Sequence, residues 1–117
     1  MPHCITGRRL GRAGDHRIHM LANLAVAVLR YERLRTTEAK AKEVRGMVDR
    51  LISTAKRGDL SARRKLVGEL PQEPLIVEKL MTELATKYAE RSSGFTRITA
   101  VGPRLGDAAP MVQIELV

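Results

Sequence analysis

The sequence predicts an α+β fold: about four helices packed on a small antiparallel or mixed sheet of two to three strands, with an extended basic N-terminal arm. Three observations predict it. Apolar residues recur at helical spacing in successive stretches between residues 15 and 90. The chain then closes with two β-rich runs separated by a Gly- and Pro-rich connection. Finally, 44% of the 117 residues are hydrophobic but only 3% are aromatic. The core must therefore be built from Leu, Val, Ile, Met and Ala, which suits helices laid on one another or on a small sheet.

Residues 1–14, MPHCITGRRLGRAG, hold three Gly, one Pro and three Arg with no sustained apolar period. Such a segment cannot bury enough surface to fold alone, and reads as an arm that orders on a partner. Residues 15–117 then form one domain. Asp15 is placed to cap a first helix whose stripe is Leu21, Leu24, Ala25, Val28 and Leu29. RLRT (33–36) alternates and reads as a brief strand leading out of it.

Thr37 is the next N-cap candidate, with Glu38 in the first turn favouring the helix dipole. Val44, Val48, Leu51, Ile52 and Ala55 make the stripe of a second helix, ended by Lys56, Arg57 and Gly58. Asp59 or Ser61 caps a third, shorter helix holding Leu66 and Leu70. Pro71 and Pro74 stop it and start a fourth, in which Ile76, Leu80, Leu84 and Tyr88 recur every four residues, with Val77 and Met81 broadening the face. SSG (92–94) breaks the pattern. FTRITAV (95–101) reads as a strand, GPRLGDAAP (102–110) as a loop, and MVQIELV (111–117) as a strand with Val112, Ile114 and Leu116 on one face. Together they predict a long-looped antiparallel hairpin.

Charge narrows the function. The formal net charge is +8, from 21 Lys plus Arg against 13 Asp plus Glu, and the sequence pI is about 10.4. That is the electrostatic footprint of a polyanion binder. Residues 1–65 carry 16 basic and 6 acidic side chains, a net of +10, whereas residues 66–117 carry 5 and 7, a net of −2. The first half is thus expected to meet the polyanion. Arg dominates it, and the planar guanidinium binds phosphate bidentately. The series Arg8, Arg9, Arg12 and Arg17 reads as an arm laid on phosphates, leading with His16 into a helix N-terminus that itself favours anions. Arg33, Arg35, Lys40, Lys42 and Arg45 extend the basic set into the second helix. Scarce aromatics argue against a single-strand stacking platform and for folded RNA read by backbone and shape.

Other chemistries find little support. His3, Cys4, His16 and His19 are the only soft metal ligands, and their spacing matches no finger or knuckle. No metal or other cofactor is expected. The lone Cys4 allows no internal disulfide, implies a reducing compartment, and has no positioned base that would make it a nucleophile. No converging acid–base pair is evident, so no enzyme is expected. GRRLG (7–11) is not flanked by the strand and helix that a nucleotide-binding loop needs. Neither a spanning segment nor a signal peptide is visible, and the expected location is the cytoplasm.

Several strings resemble one family. His3, GRRLGR (7–12), His16-Arg17, Asn23, Thr36-Thr37, AKAKEVR (39–45), LISTAK (51–56), GFTRI (94–98) and GDAAPMVQIEL (106–116) stand in the order and spacing of the seventeenth protein of the bacterial large ribosomal subunit. The resemblance covers essentially the whole chain, and GFTRI with GDAAPM is its most specific part. It implies an α+β fold and binding to large-subunit ribosomal RNA. It also implies one copy per ribosome, beside neighbouring large-subunit proteins near the peptide exit tunnel. Under it His3, Gly7, Arg8, Arg12, His16, Arg17, Thr36 and Thr37 face RNA. Pro2 and Cys4 stand where members usually carry basic residues, and Tyr31 where His is common. The alternative is a free-standing basic nucleic-acid-binding regulator, which needs a recognition helix entering a groove.

Overall fold

The computed structural model describes residues 14–117, with side chains from His16 onward. Helix α1 spans Gly14–Tyr31, strand β1 Arg33–Thr37, helix α2 Glu38–Arg57 and helix α3 Leu60–Glu69. Helix α4 is composite: an α-helical start Pro74–Lys79, five π-helical residues Leu80–Leu84, and a last turn Ala85–Lys87. Strands β2 (Thr96–Pro103) and β3 (Pro110–Leu116) complete the chain. The result is α+β, as the residue pattern predicts, and RLRT is part of a strand. The N-terminal arm lies outside the described residues.

The sheet is antiparallel throughout, in the order β1-β3-β2. The C-terminal strand is therefore central. Leu34 and Ile98 flank Ile114, and Thr36 and Ala100 flank Val112, on the face turned to the helices. Glycine relieves a register shift between Ala100 and Gly102, where Gly102 takes φ 124°.

Helix α2 carries the core. Ala41, Val44, Val48, Leu51, Ile52 and Ala55 are buried along one stripe. Ala25, Val28 and Leu29 of α1, Leu66 of α3, and Ile76, Val77, Leu80 and Leu84 of α4 join the same cluster. Each Val, Leu or Ile side chain among them contributes about 1.5–3 kcal/mol on full burial. Phe95, immediately before β2, is fully buried, with its ring 5.1 Å from that of Tyr88. The Lys56 ammonium sits 5.3 Å over the same ring. The Tyr88 hydroxyl donates to the Val117 carbonyl at 2.8 Å, tying the end of the last strand to the helical layer.

Local chemistry sets the ends. Gly58 takes the left-handed conformation (φ 70°) and its N–H closes α2 on the Ala55 carbonyl. Asp59, rather than Ser61, caps α3 by accepting from the Ala62 N–H at 2.7 Å. Thr37 occupies the N-cap position of α2 but makes no side-chain cap hydrogen bond. Asp15, expected as the cap of α1, falls within that helix, which is described from Gly14 onward. The loop expected over 102–110 shortens to 104–109, since Pro103 and Pro110 pair as the last rung of the ladder.

The exit from α1 has no glycine. Glu32 adopts φ 64° instead, a conformation costing a non-glycine residue roughly 1–2 kcal/mol. Several contacts hold it there. Its carbonyl accepts from the Leu116 N–H at 2.9 Å, and its carboxylate pairs with Lys79 (3.7 Å) and Lys87 (3.5 Å) of α4.

In the hairpin loop the Asp107 carboxylate accepts from the Arg104 guanidinium (Nε at 2.9 Å) and from the Ala109 N–H at 3.2 Å. First the Arg104 hydrogen bond, then the Ala109 N–H, hold this carboxyl well below the usual carboxylate range. A depressed folded-state value stabilises above the unfolded pKa, and that contribution is lost as pH falls through the folded one.

Two measurements check the packing and the loop. Phe95→Ala should cost about 3–5 kcal/mol in urea unfolding. In an NMR titration Asp107 should remain ionised after the other carboxylates have protonated, and Arg104→Gln should return its midpoint toward the ordinary range. An unchanged midpoint in the variant contradicts the assignment.

Candidate nucleic-acid interface

The basic residues singled out in the sequence fall into separate places. His3, Gly7, Arg8, Arg9 and Arg12 lie outside the described residues, as does Cys4. His16 and Arg17 stand in the first turns of α1, His16 exposed and Arg17 half-buried. The others gather where α1 hands over to β1 and α2. A helix rises 1.5 Å per residue, so roughly 20 Å separate the two groups along α1.

At the second location strand alternation sorts the side chains. Arg33 and Arg35 are exposed on the sheet face away from the helices. Thr36 is only 8% exposed. It points to the opposite face, opposite Val112, so the structure does not bring it to the surface that Arg33 and Arg35 share. The period of two in a strand forces that separation. Thr37 is half-buried at the start of α2.

On α2, Lys40 is half-buried, while Lys42 and Arg45 are exposed. Lys42 pairs with Glu38 at 2.6 Å, the favourable orientation for residues four apart on a helix. Arg45 lies beside Asp49, whose carboxylate accepts from the Thr96 hydroxyl at 3.4 Å. Burial pushes the Asp49 carboxyl up, and the Arg45 charge, the Phe95 N–H and the Thr96 hydroxyl oppose it.

Sequence reasoning left Arg97 out of the interface. The register places it on the outer sheet face in one rung with Arg33 and Glu115: Arg33 opposes Glu115, and Glu115 opposes Arg97. The next rung is Arg35, Gln113 and Thr99. The Arg97 guanidinium holds one Glu115 oxygen through Nε and an Nη, at 3.0 and 2.9 Å. Alternation within β2 separates Arg97 and Thr99 from the inward-facing Thr96 and Ile98, but only the pairing of β1 with β3 joins Arg97 to Arg33.

Among the described residues no group of three or more His, Cys, Asp and Glu is placed to hold a metal ion. No described helix is long and apolar enough to cross a membrane. A groove between the first half of α1 and the α3–α4 connection is lined by Ile18, His19, Asn23, Leu70 and Glu73 among others.

The Asp49 contact has a pH signature. A raised folded-state carboxyl pKa favours folding below the unfolded value, and that contribution is lost as pH rises through the folded one. Asp49→Asn, neutral at every pH, should flatten this part of the stability profile in urea midpoints taken from about pH 3 to about pH 7. An identical pH profile in parent and variant would remove Asp49 as its source.

Comparison with known proteins identifies the family. A family described as Ribosomal protein L17 matches residues 20–117. A large ribosomal subunit protein bL17 of Desulfitobacterium hafniense is 54% identical over 110 residues, covering 94% of this chain and 97% of the relative. The bL17 of Orientia tsutsugamushi strain Ikeda is 50% identical over 117 residues, all of this chain and 80% of the relative. That of Caldanaerobacter subterraneus subsp. tengcongensis is 51% identical over 110 residues, 94% and 97% respectively. With the match running through α1, the sheet and the hairpin loop, the chain belongs to the ribosomal protein L17 family.

Proposed function

We propose that the protein is a structural constituent of the large ribosomal subunit, bound there to ribosomal RNA and to neighbouring ribosomal proteins. Family membership carries the reading: the relatives are named as large ribosomal subunit proteins and match nearly the full chain. The charge supports it, with the net +10 of residues 1–65 placed ahead of a near-neutral second half.

In finer detail, residues 1–14 act as an RNA-binding arm, and residues 15–117 as the domain that anchors it. His16 and Arg17 continue the arm into α1, and Lys40, Lys42 and Arg45 on α2 meet phosphates at a second point. Two contact points roughly 20 Å apart suit a folded RNA better than a single extended strand. The protein sits as one copy near the exit of the peptide tunnel. Its role is architectural, and its place is on the cytoplasmic ribosome.

The test is sedimentation of cell extract through a gradient at moderate salt. The protein should travel with the large subunit and leave it as salt rises, because each neutralised phosphate releases counterions and adds about 0.7–0.9 to the logarithmic salt slope. Finding it wholly free at moderate salt would overturn the assignment.

A further inference from the structure

Among the described residues, the helices pack on one side of the sheet only, and no element covers the other side. Its outer positions are Arg33, Arg35 and Thr37 on β1, Arg97 and Thr99 on β2, and Met111, Gln113 and Glu115 on β3. Three guanidinium groups face one carboxylate there, a local excess of two positive charges. Among the described residues the Arg33 and Arg35 side chains have no hydrogen-bonding or ion-pair partner. Arg97 is 62% exposed and oriented by Glu115, which is itself only 15% exposed.

We infer that this outer sheet face is a platform for the sugar–phosphate backbone of double-helical RNA, separate from the arm and from the helices. The inference rests on the RNA-binding reading above and names a surface and a form of RNA for it. The residue types decide against the alternatives. None of the outer positions is aromatic, so unpaired bases find nothing to stack on. Apart from Met111 none is a large apolar residue, whereas the centre of a protein interface is depleted of charge and enriched in aromatics. Arg, Thr and Gln are the donors that reach phosphate and 2′-hydroxyl oxygens across a shallow groove. Arg33 and Arg35 stand two residues apart on one face, about 7 Å, close to the step between successive phosphates of one strand. Arg97 lies two strands away, about 10 Å across the sheet, where it meets a different part of the backbone.

Glu115 gives the inference a sign. It holds the Arg97 fork in place, but it is the one negative charge on the face. Neutralising it should strengthen binding, whereas damage to the fold should weaken it.

The experiment is fluorescence anisotropy with the full chain over a salt series. The probes are an RNA hairpin duplex of about 16 base pairs and a poly-uridine strand with the same number of phosphates. The parent should prefer the duplex. Arg33→Gln with Arg35→Gln should weaken duplex binding about tenfold and lower its logarithmic salt slope by about two, with less effect on poly-uridine. Glu115→Gln should tighten duplex binding several-fold. Urea unfolding of each variant reports whether the fold is kept. The triple variant Arg8→Gln, Arg9→Gln, Arg12→Gln serves as the arm control. If the arm variant loses affinity while the sheet variants bind like the parent, the platform is overturned and the RNA-binding reading stands. Equal losses on both probes overturn the duplex assignment. No salt-sensitive binding of either RNA by the parent overturns both readings.

Discussion

Helix α2 buries six side chains in one stripe, and α1, α3, α4 and all three strands close on it. With a single Phe and no Trp in the chain, no large ring can span gaps between layers over most of the core. Aliphatic side chains must interdigitate closely instead, since an interior void forfeits dispersion contacts outright. That constraint explains the placing of the one Phe. Phe95 fills the corner where α2, the end of α4 and the start of β2 meet, stacked at a tilt on Tyr88 and roofed by the Lys56 ammonium. The Lys56 ammonium also donates to the Arg91 carbonyl, closing the loop between α4 and β2 over this corner.

Once helices occupy one side of the sheet, no described element covers the other, and strand alternation delivers charge to it. Arg33, Arg35 and Arg97 cannot reach the core without reversing the register that buries Leu34, Ile98 and Ile114. The same packing that protects the aliphatic core therefore concentrates guanidinium groups on a flat surface. Repulsion among them is limited by Glu115, by screening over about 8 Å at physiological salt, and by the polar pair Gln113 and Thr99 in the next rung. Elsewhere cations are spent on structure: Arg30 binds Glu73 at 2.7 Å, Arg63 binds Glu78, and Lys79 and Lys87 steady the strained Glu32.

Much of this was legible in the residues. The stripe of α2, the left-handed Gly58 and the alternation of Val112, Ile114 and Leu116 were readable because each is governed by local periodicity or a single backbone preference. One signal was present but not decoded. Four apolar residues at strict intervals of four, Ile76, Leu80, Leu84 and Tyr88, would drift by about 40° per step around a regular helix. All four are nonetheless buried, because the π-helical turn at Leu80–Leu84 holds more residues per turn and counters the drift. Glu32 left no signal at all, since nothing in a Tyr-Glu-Arg string announces a positive φ. Its conformation is imposed by Leu116, Lys79 and Lys87, which are remote in sequence.

For the basic surface the division is similar. By itself the sequence determined the excess of Arg in the first half, the scarcity of aromatics and the strings shared with one ribosomal family, because charge and composition survive any folding. Only the tertiary structure decided which of those charges act together. Pairing β1 with β3 set Arg33 and Arg35 beside Arg97, turned Thr36 inward and put Glu115 between guanidinium groups. Strand order depends on contacts between segments some eighty residues apart, as between Arg33 and Glu115, and no local pattern encodes it.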